Sequence, residues 1–580
     1  PRAERLAWIS GFTGSAGLAL VTAEAAVLFV DGRYTLQAAA QADGALWTVR
    51  HLVDEPATDW MAANLPAGAR LGHDPWLHPP ATISRYAAAC ARAGAELVAV
   101  ETNPLDAVWD DQPPPPLAPV TLHPAAFTGR DEADKRRDVA ADLAARNEDA
   151  AVLTAPDSIA WLLNLRGGDV PCTPVALAFA VLHADASLDL FMDARKLLPV
   201  AAATLGEGVR IAAPEDLGPA LDSLGAAQRT VRVDADASPA WVLDRLNAAG
   251  ATVARGPDPC LMPRACKNAA ERDGTRAAHR RDGAALSRFL AWLDATAPGG
   301  AVTEMAAAER LLDCRRDNAH FRGLSFDTIA GSGPNGAIVH YRVTPATDRH
   351  LADGDLFLVD SGGQYLDGTT DVTRTVAVGA PGAEQRDRFT RVLKGHIALA
   401  TARFPLGTTG SQLDALARRP LWAAGLDFDH GTGHGVGSYL SVHEGPHRIS
   451  KVPNRVALKP GMIVSNEPGY YRTGAYGIRI ENLVMVVESP DPADTGRDGT
   501  GRDGTGRDGT GKDRTGDNRP MLAFETLTLA PIDRRLVDPA LLDADETAWL
   551  NAYHARVFDT LSPQVDGATR DWLAAMTAPL

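Results

Sequence analysis

Between residues 357 and 484 the chain four times places acidic or imidazole side chains at the ends of apolar runs or among glycines, and this limits the folds open to it. Phe357-Leu358-Val359-Asp360-Ser361-Gly362-Gly363 reads as an apolar strand that stops at a carboxylate and turns. Eleven residues after Asp360, Asp371 sits in Gly368-Thr369-Thr370-Asp371-Val372-Thr373-Arg374. The third segment is His430-Gly431-Thr432-Gly433-His434-Gly435-Val436-Gly437, with His443-Glu444-Gly445-Pro446 just after. The fourth is a predicted pair of strands, Met462 to Gly469 carrying Glu467 and Gly477 to Val484 carrying Glu481. Strand alternation puts Arg479 and Glu481 on one face and Ile478 and Ile480 on the other.

Each piece alone has an ordinary explanation. An Asp at a strand end caps or turns, a His among glycines makes a structural hydrogen bond, and a Glu before Pro-Gly is a loop residue. Together they imply more. Gathering two Asp and two Glu in a buried place without cations costs many kcal/mol or forces protonation. Two divalent cations bring four positive charges to four carboxylates, and one imidazole completes the set. Mostly oxygen donors with a single nitrogen suit Mn²⁺, Co²⁺ or Fe²⁺ better than a structural zinc site.

The rest of the chain frames this segment. At roughly 150 residues per domain, 580 residues suggest three or four domains. Lys plus Arg number 57 against 73 Asp plus Glu, a net charge of −16, so no basic surplus exists to displace counterions from a nucleic acid. The longest clean apolar run, Val175 to Leu182, is too short to span a membrane. Five scattered cysteines form neither a disulfide framework nor a CxxC zinc module, and a reducing, cytoplasmic setting is the simplest reading. Short strands are expected at Gly17 to Thr22, Ala26 to Val30, Ala151 to Leu153 and Ala176 to Leu182, and a helix at Asp131 to Asn147. Pro113 to Pro116 reads as a linker and residues 257 to 263 as a second boundary. Lys267 to Ala295 reads as one long helix, against which Gly274 and Gly283 argue. Residues 495 to 511 repeat Thr-Gly-Arg-Asp-Gly without a hydrophobic residue and should be disordered. A strand at Thr526 to Leu529 and a helix at Glu546 to Tyr553 follow. Two motifs are set aside as turns. Gly331-Ser332-Gly333-Pro334-Asn335-Gly336 fits GxGxxG but carries Pro334 where a helix should open. Gly11 to Gly17 approaches a nucleophile elbow but has Thr13 in place of its first glycine.

The order Asp, Asp, His, Glu, Glu with these glycines resembles the pita-bread dinuclear metallopeptidases, which include methionine aminopeptidase, prolidase and X-Pro aminopeptidase. The wording around the acids is most similar to the long, three-domain X-Pro aminopeptidase (aminopeptidase P) form. The similar stretches are Gly11 to Gly17, Gly336 to Tyr341, Asp360 to Thr375, His430 to Pro446, Glu467 to Glu481 and Trp549 to His554. The resemblance implies a mixed α/β fold: two creatinase/prolidase-like N-terminal α/β domains (1–115 and 120–260) and a pita-bread catalytic domain (265–492). The repeat insert (493–518) and a C-terminal extension of the catalytic domain (519–580) follow. It also implies that further sequence precedes residue 1. It gives Asp360 to one metal, makes Asp371 and Glu481 bridge both, and gives His434 and Glu467 to the other. Glu467 doubles as general base and acid beside a hydroxide that bridges the metals. His340 and His443 contact substrate and steady the oxyanion, and His430 and Arg479 orient the ligands. Arg479 is also counted on the substrate side, with a salt bridge to a ligand carboxylate as its plainer role.

The implied activity is removal of an N-terminal residue from a following proline, with two divalent ions as cofactor. Mn²⁺ leads, with Co²⁺, Fe²⁺ or Zn²⁺ as alternatives. The implied partners are peptides with proline in second position and a second copy of the chain in a homodimer, with neither nucleic acid nor membrane. The rivals are a prolidase acting on Xaa-Pro dipeptides and a non-catalytic peptide-binding protein of the same fold. Two α/β domains ahead of the catalytic one favour the aminopeptidase, and the complete acidic set disfavours the binding protein.

Overall fold

The structure, a computed structural model, describes residues 2–198, 205–489 and 520–580, so the repeat at 495–511 lies outside the described residues. They divide into two compact units: Pro1–Arg264 with Ile338–Tyr341, and Ala265–Ala337 with Arg342–Leu580.

In the first unit, Ala26–Val30 pairs antiparallel with Gly17–Val21 and parallel with Trp47–His51. Every second side chain faces the same way, so Val27 and Phe29 enter one core cluster, and Leu28 and Val30 enter another with Phe12, Tyr34, Ala38 and Trp47. A turn at Asp31 to Tyr34 leads into a helix, Thr35–Gln41. Gly11 closes the helix Arg5–Ser10 at φ +74°, a conformation glycine takes without strain. A second sheet orders Val209–Ala212, Leu188–Phe191, Phe179–His183, Ala150–Leu153, Thr230–Val233 and Thr252–Arg255 among the described residues. The strand expected from Ala176 begins instead at Phe179, because the Leu177 N–H is taken by the Asp169 carboxylate at 2.7 Å rather than by a neighbouring strand.

The second unit opens with a helix, Ala269–Thr296, capped at Asn268, whose side chain and that of Glu271 each accept the other's backbone N–H. Gly274 and Gly283 do not break it; they admit close neighbours. A Cβ on Gly274 would stand 2.5 Å from the Asp367 carbonyl oxygen, and one on Gly283 2.3 Å from that of Leu529. Gly283→Ala is therefore expected to destabilise this unit by about 1–3 kcal/mol, despite alanine's better helix propensity, and urea unfolding measures it.

Two sheets carry the chemistry-bearing residues. Leu356–Ser361 lies between Ile329–Ser332 and Val372–Ala377, antiparallel to both. The strand does not stop at Asp360, as the sequence suggested, but pairs it with Ile329 and Thr373 and ends at Ser361. Among the described residues the other sheet orders Phe404–Pro405, Met521–Thr526, Asn482–Glu488, Ile463–Asn466, Gly433–Gly435 and Glu444–Ile449.

The strand predicted from Gly477 to Val484 is two strands. Tyr476–Arg479 forms a hairpin with Gly469–Arg472, and Asn482–Glu488 pairs with Ile463–Asn466. At the break the Glu481 N–H turns to the Thr373 carbonyl at 3.2 Å. The strand expected at Thr526 to Leu529 runs Met521–Thr526; the Leu527 N–H still reaches the in-register Leu483 carbonyl, but the Leu483 N–H is taken by Thr528 Oγ1 at 2.8 Å and the ladder ends there. The C-terminal helix is longer than expected, Ala544–Leu561, with Trp549 and Tyr553 stacked at 5.3 Å, and a further helix, Gly567–Met576, follows. The GxGxxG segment is a strand end followed by a 3₁₀ turn, Gly333–Ala337. Among the described residues no helix is long and apolar enough to cross a membrane.

Candidate metal centre

The second unit brings together the five residues singled out as metal donors. Oxygens of Asp371 and Glu481 and a ring nitrogen of His434 lie within 4.8 Å of one another. His434 Nε2 is 3.4 Å from Asp371 Oδ2 and 3.6 Å from Glu467 Oε1. Glu481 Oε2 accepts a hydrogen bond from Thr373 Oγ1 at 2.7 Å, and Thr373 is the cross-strand neighbour of Asp360. Asp360, Asp371 and Glu481 are buried, while Glu467 and His434 are partly exposed. The glycines beside His434 let its strand press against its neighbours. A Cβ on Gly433 would stand 2.0 Å from the Ser465 carbonyl oxygen, and one on Gly435 2.3 Å from that of Glu444. His434 Nδ1 lies 3.0 Å from the Gly435 carbonyl, which turns Nε2 toward the carboxylates.

The electrostatics show what this cluster lacks. Burial pushes the Asp360 carboxyl up to about 7; Arg479 works against that shift and Asp371 adds to it. Burial likewise raises Glu467, against the pull of His434 and Arg479. Glu481 is driven well above the usual carboxylate range by burial and by the charges of Asp371, Asp360 and Glu467. Burial alone would lower His434, but its contact with Asp371 and the charge of Glu467 raise it to about 9. Left to themselves, these carboxylates cannot all ionise. Asp360 Oδ1 and Asp371 Oδ1 are buried without a hydrogen-bond partner among the described residues. Crowded carboxylates, inward oxygens without a proton donor and a single imidazole fit hard divalent cations.

A web of hydrogen bonds holds the cluster. Arg479, buried, donates to Asp360 Oδ2 at 2.7 Å, to the Tyr471 hydroxyl at 2.7 Å and to Thr373 Oγ1 at 3.1 Å. The same hydroxyl meets His430 Nε2 at 2.8 Å, and His430 Nδ1 stands 3.9 Å from Glu467 Oε2. Ser465 Oγ donates to Glu467 Oε1 and accepts the His434 N–H. Arg374, also buried, donates to the carbonyls of Glu481, Thr373, Ala530 and Pro531, to Asn482 Oδ1 and to the Tyr553 hydroxyl. Replacing Arg479 by Met is expected to weaken metal affinity about 10- to 100-fold while the fold persists; competition with a fluorescent chelator measures it.

Tyr471, Thr373, Ser465 and Arg374 were not among the expected site residues. Alternation offered a signal for two of them, since Thr373 stands two residues after Asp371 and Ser465 two before Glu467, and such pairs share a strand face. His443 packs its ring edge-on to His434 at 4.3 Å. His340 belongs to the other compact unit, where Nδ1 lies 2.7 Å from the Tyr34 hydroxyl.

A buried acidic cluster with one imidazole, gathered on and just beyond the strands of these two sheets, is the kind of centre a metallopeptidase carries. Residues 273–488 match metallopeptidase family M24 and 520–580 the C-terminal region of that family. Residues 1–108 and 111–271 each match a creatinase/prolidase N-terminal domain. The chain is 38% identical to aminopeptidase P1 of Lotus japonicus, over all of this chain and 94% of that one. It is 42% identical to a probable Xaa-Pro aminopeptidase P of Laccaria bicolor, over all of this chain and 88% of that one. The crystal structure of an X-prolyl aminopeptidase from Caenorhabditis elegans, described as a cytosolic enzyme with a di-nuclear active site, matches with a TM-score of 0.91. That match has 33% identity and covers all of this chain and 92% of that one. The chain belongs to the aminopeptidase P family, with creatinase-type N-terminal domains ahead of a pita-bread domain.

Proposed function

We propose that the protein is a metal-dependent Xaa-Pro aminopeptidase that cleaves the bond between an N-terminal residue and a following proline. The observation that carries this reading is the convergence of Asp360, Asp371, His434, Glu467 and Glu481, with two buried carboxylate oxygens left without a donor among the described residues. The activities for which the Lotus, Laccaria and Caenorhabditis relatives are named support the substrate class. In this reading Asp360 serves one metal, His434 and Glu467 the other, and Asp371 and Glu481 both. Mn²⁺ suits the oxygen-rich donor set. A cytoplasmic location accords with the Caenorhabditis relative, described as a cytosolic enzyme.

Bound divalent ions supply Lewis acidity for the carbonyl and lower the pKa of water. The chain's residues do the rest. The bond before proline is a tertiary amide whose nitrogen leaves only once it is protonated. Glu467, partly exposed, takes a proton from the attacking water and delivers it to that nitrogen. His443, edge-on to His434, holds the substrate and its developing oxyanion, and the family resemblance gives His340 a substrate-side role as well. The carboxylates around the centre receive the substrate's N-terminal ammonium and so favour exopeptidase action.

The test is hydrolysis of Xaa-Pro-Xaa tripeptides with Mn²⁺ added and then chelated, beside metal analysis. Cleavage of tripeptides that stops on chelation supports the proposal. Cleavage of Xaa-Pro dipeptides alone makes the protein a prolidase, and a protein without stoichiometric metal or hydrolysis is a binding module.

A further inference from the structure

The Gly11 to Gly17 turn and Tyr34 have no part in the chemistry described so far, yet they build a specific contact with His340. Tyr34 is 3% exposed and is held from three sides. Phe12, fully buried, meets its ring edge-on at 5.5 Å. Gly14 must lack a side chain there, since a Cβ would stand 2.1 Å from the Phe12 ring and 2.8 Å from that of Tyr34. The turn is tied to the helix that follows Tyr34, with the Thr13 N–H donating to Gln41 Oε1 and Gln37 Nε2 to Thr13 Oγ1. At the open end of the ring, the Tyr34 hydroxyl lies 2.6 Å from Ser15 Oγ and 2.7 Å from His340 Nδ1. The two rings meet edge-on at 5.2 Å.

We propose that Tyr34 is a positioning residue for His340, with the Gly11 to Gly17 turn as its cradle; this rests on the substrate-side role given to His340 above. The Tyr34 hydroxyl donates to Nδ1 and accepts from Ser15. A neutral imidazole that accepts at Nδ1 carries its proton on Nε2. His340 is then fixed in rotation and in tautomer as a donor, the state an anionic oxygen requires.

Tyr34→Phe keeps the ring in its cradle and removes only the hydroxyl. In the Mn²⁺-loaded full-length protein, kcat/KM for an Xaa-Pro-Xaa tripeptide is expected to fall about tenfold, with the melting temperature unchanged. In a His340→Ala background the same substitution is expected to cost nothing further, because the hydroxyl then has no imidazole to orient. A wild-type rate for Tyr34→Phe overturns the proposal. So does an equal loss in both backgrounds, which means Tyr34 acts without His340. If the parent protein does not cleave the tripeptide, the proposal falls together with the function it rests on. Should Tyr34→Phe fail to fold, Ser15→Ala, at an exposed position, carries the test. A two- to threefold loss confined to the His340-containing protein is expected, and a wild-type rate overturns it.

Discussion

Replacing Glu467 by Gln should leave a folded, metal-loaded protein that turns over at least about a thousandfold more slowly. The amide has the shape of the carboxylate and can keep the hydrogen bond from Ser465 Oγ at 3.1 Å. The backbone stays anchored through the Glu467 N–H to the Thr432 carbonyl at 2.9 Å. What disappears is the ability to take a proton from water and hand it to the proline nitrogen. Since Glu467 is also assigned to a metal, plasma emission analysis must accompany the rate measurement. A variant with full metal content and more than a tenth of the parent rate would remove Glu467 from the mechanism. Loss of metal together with rate would make it a ligand whose base role is unproven.

The second large effect is on stability and needs no substrate. Stripping divalent ions should lower the melting temperature, and the gap between loaded and stripped protein should widen as pH rises from about 6 to 8.5. Unfolded carboxyls titrate near 4. In the metal-free centre burial holds Asp360 at about 7 and raises Glu467 and Glu481. Between those limits the folded state binds more protons than the unfolded one, so its stability falls as pH climbs through the folded pKa values. The loss is on the order of several kcal/mol, and bound cations cancel it by keeping the carboxylates ionised. Buried imidazoles act in a separate window. Burial lowers His123 to about 2, His396 to about 3 and His554 to about 4, so they cost stability only below about 6.5, where unfolded imidazoles protonate, and in both forms alike. Parallel melting curves for the two forms from pH 6 to 8.5 would disprove the charge argument.

The candidate centre was more legible in the sequence than the fold that makes it. Asp360, Asp371, His434, Glu467 and Glu481 stand out as a set: each alone has an ordinary structural use, but four carboxylates gathered in a buried place need cations to offset their charge. The salt bridge from Arg479 to a ligand carboxylate was foreseen, but which carboxylate it meets and its link to Tyr471 were hidden, because Tyr471, Arg479 and Asp360 meet across three strands and no local period reports a register between distant segments. Alternation survived where the strand prediction failed. The chain leaves its hairpin at Ile480, yet Arg479 bonds to Thr373 and Asp360 on the site side and Glu481 bonds to Thr373, while Ile478 and Ile480 enter the hydrophobic core. The long helix tells the opposite story. Gly274 and Gly283 argue against it on propensity, but the close approach of Asp367 and Leu529 decides.

Arg374 changes how the final stretch of the chain must be regarded. It grips the main chain at Glu481 and, with the same guanidinium, Ala530, Pro531 and the ring hydroxyl of Tyr553. A version shortened to before Ala530 would leave that cation buried with half its acceptors gone, while it still bonds to the main chain of Glu481, a candidate metal ligand. Truncations that remove residues 530–553 are therefore interventions in the candidate centre and not merely in its packaging.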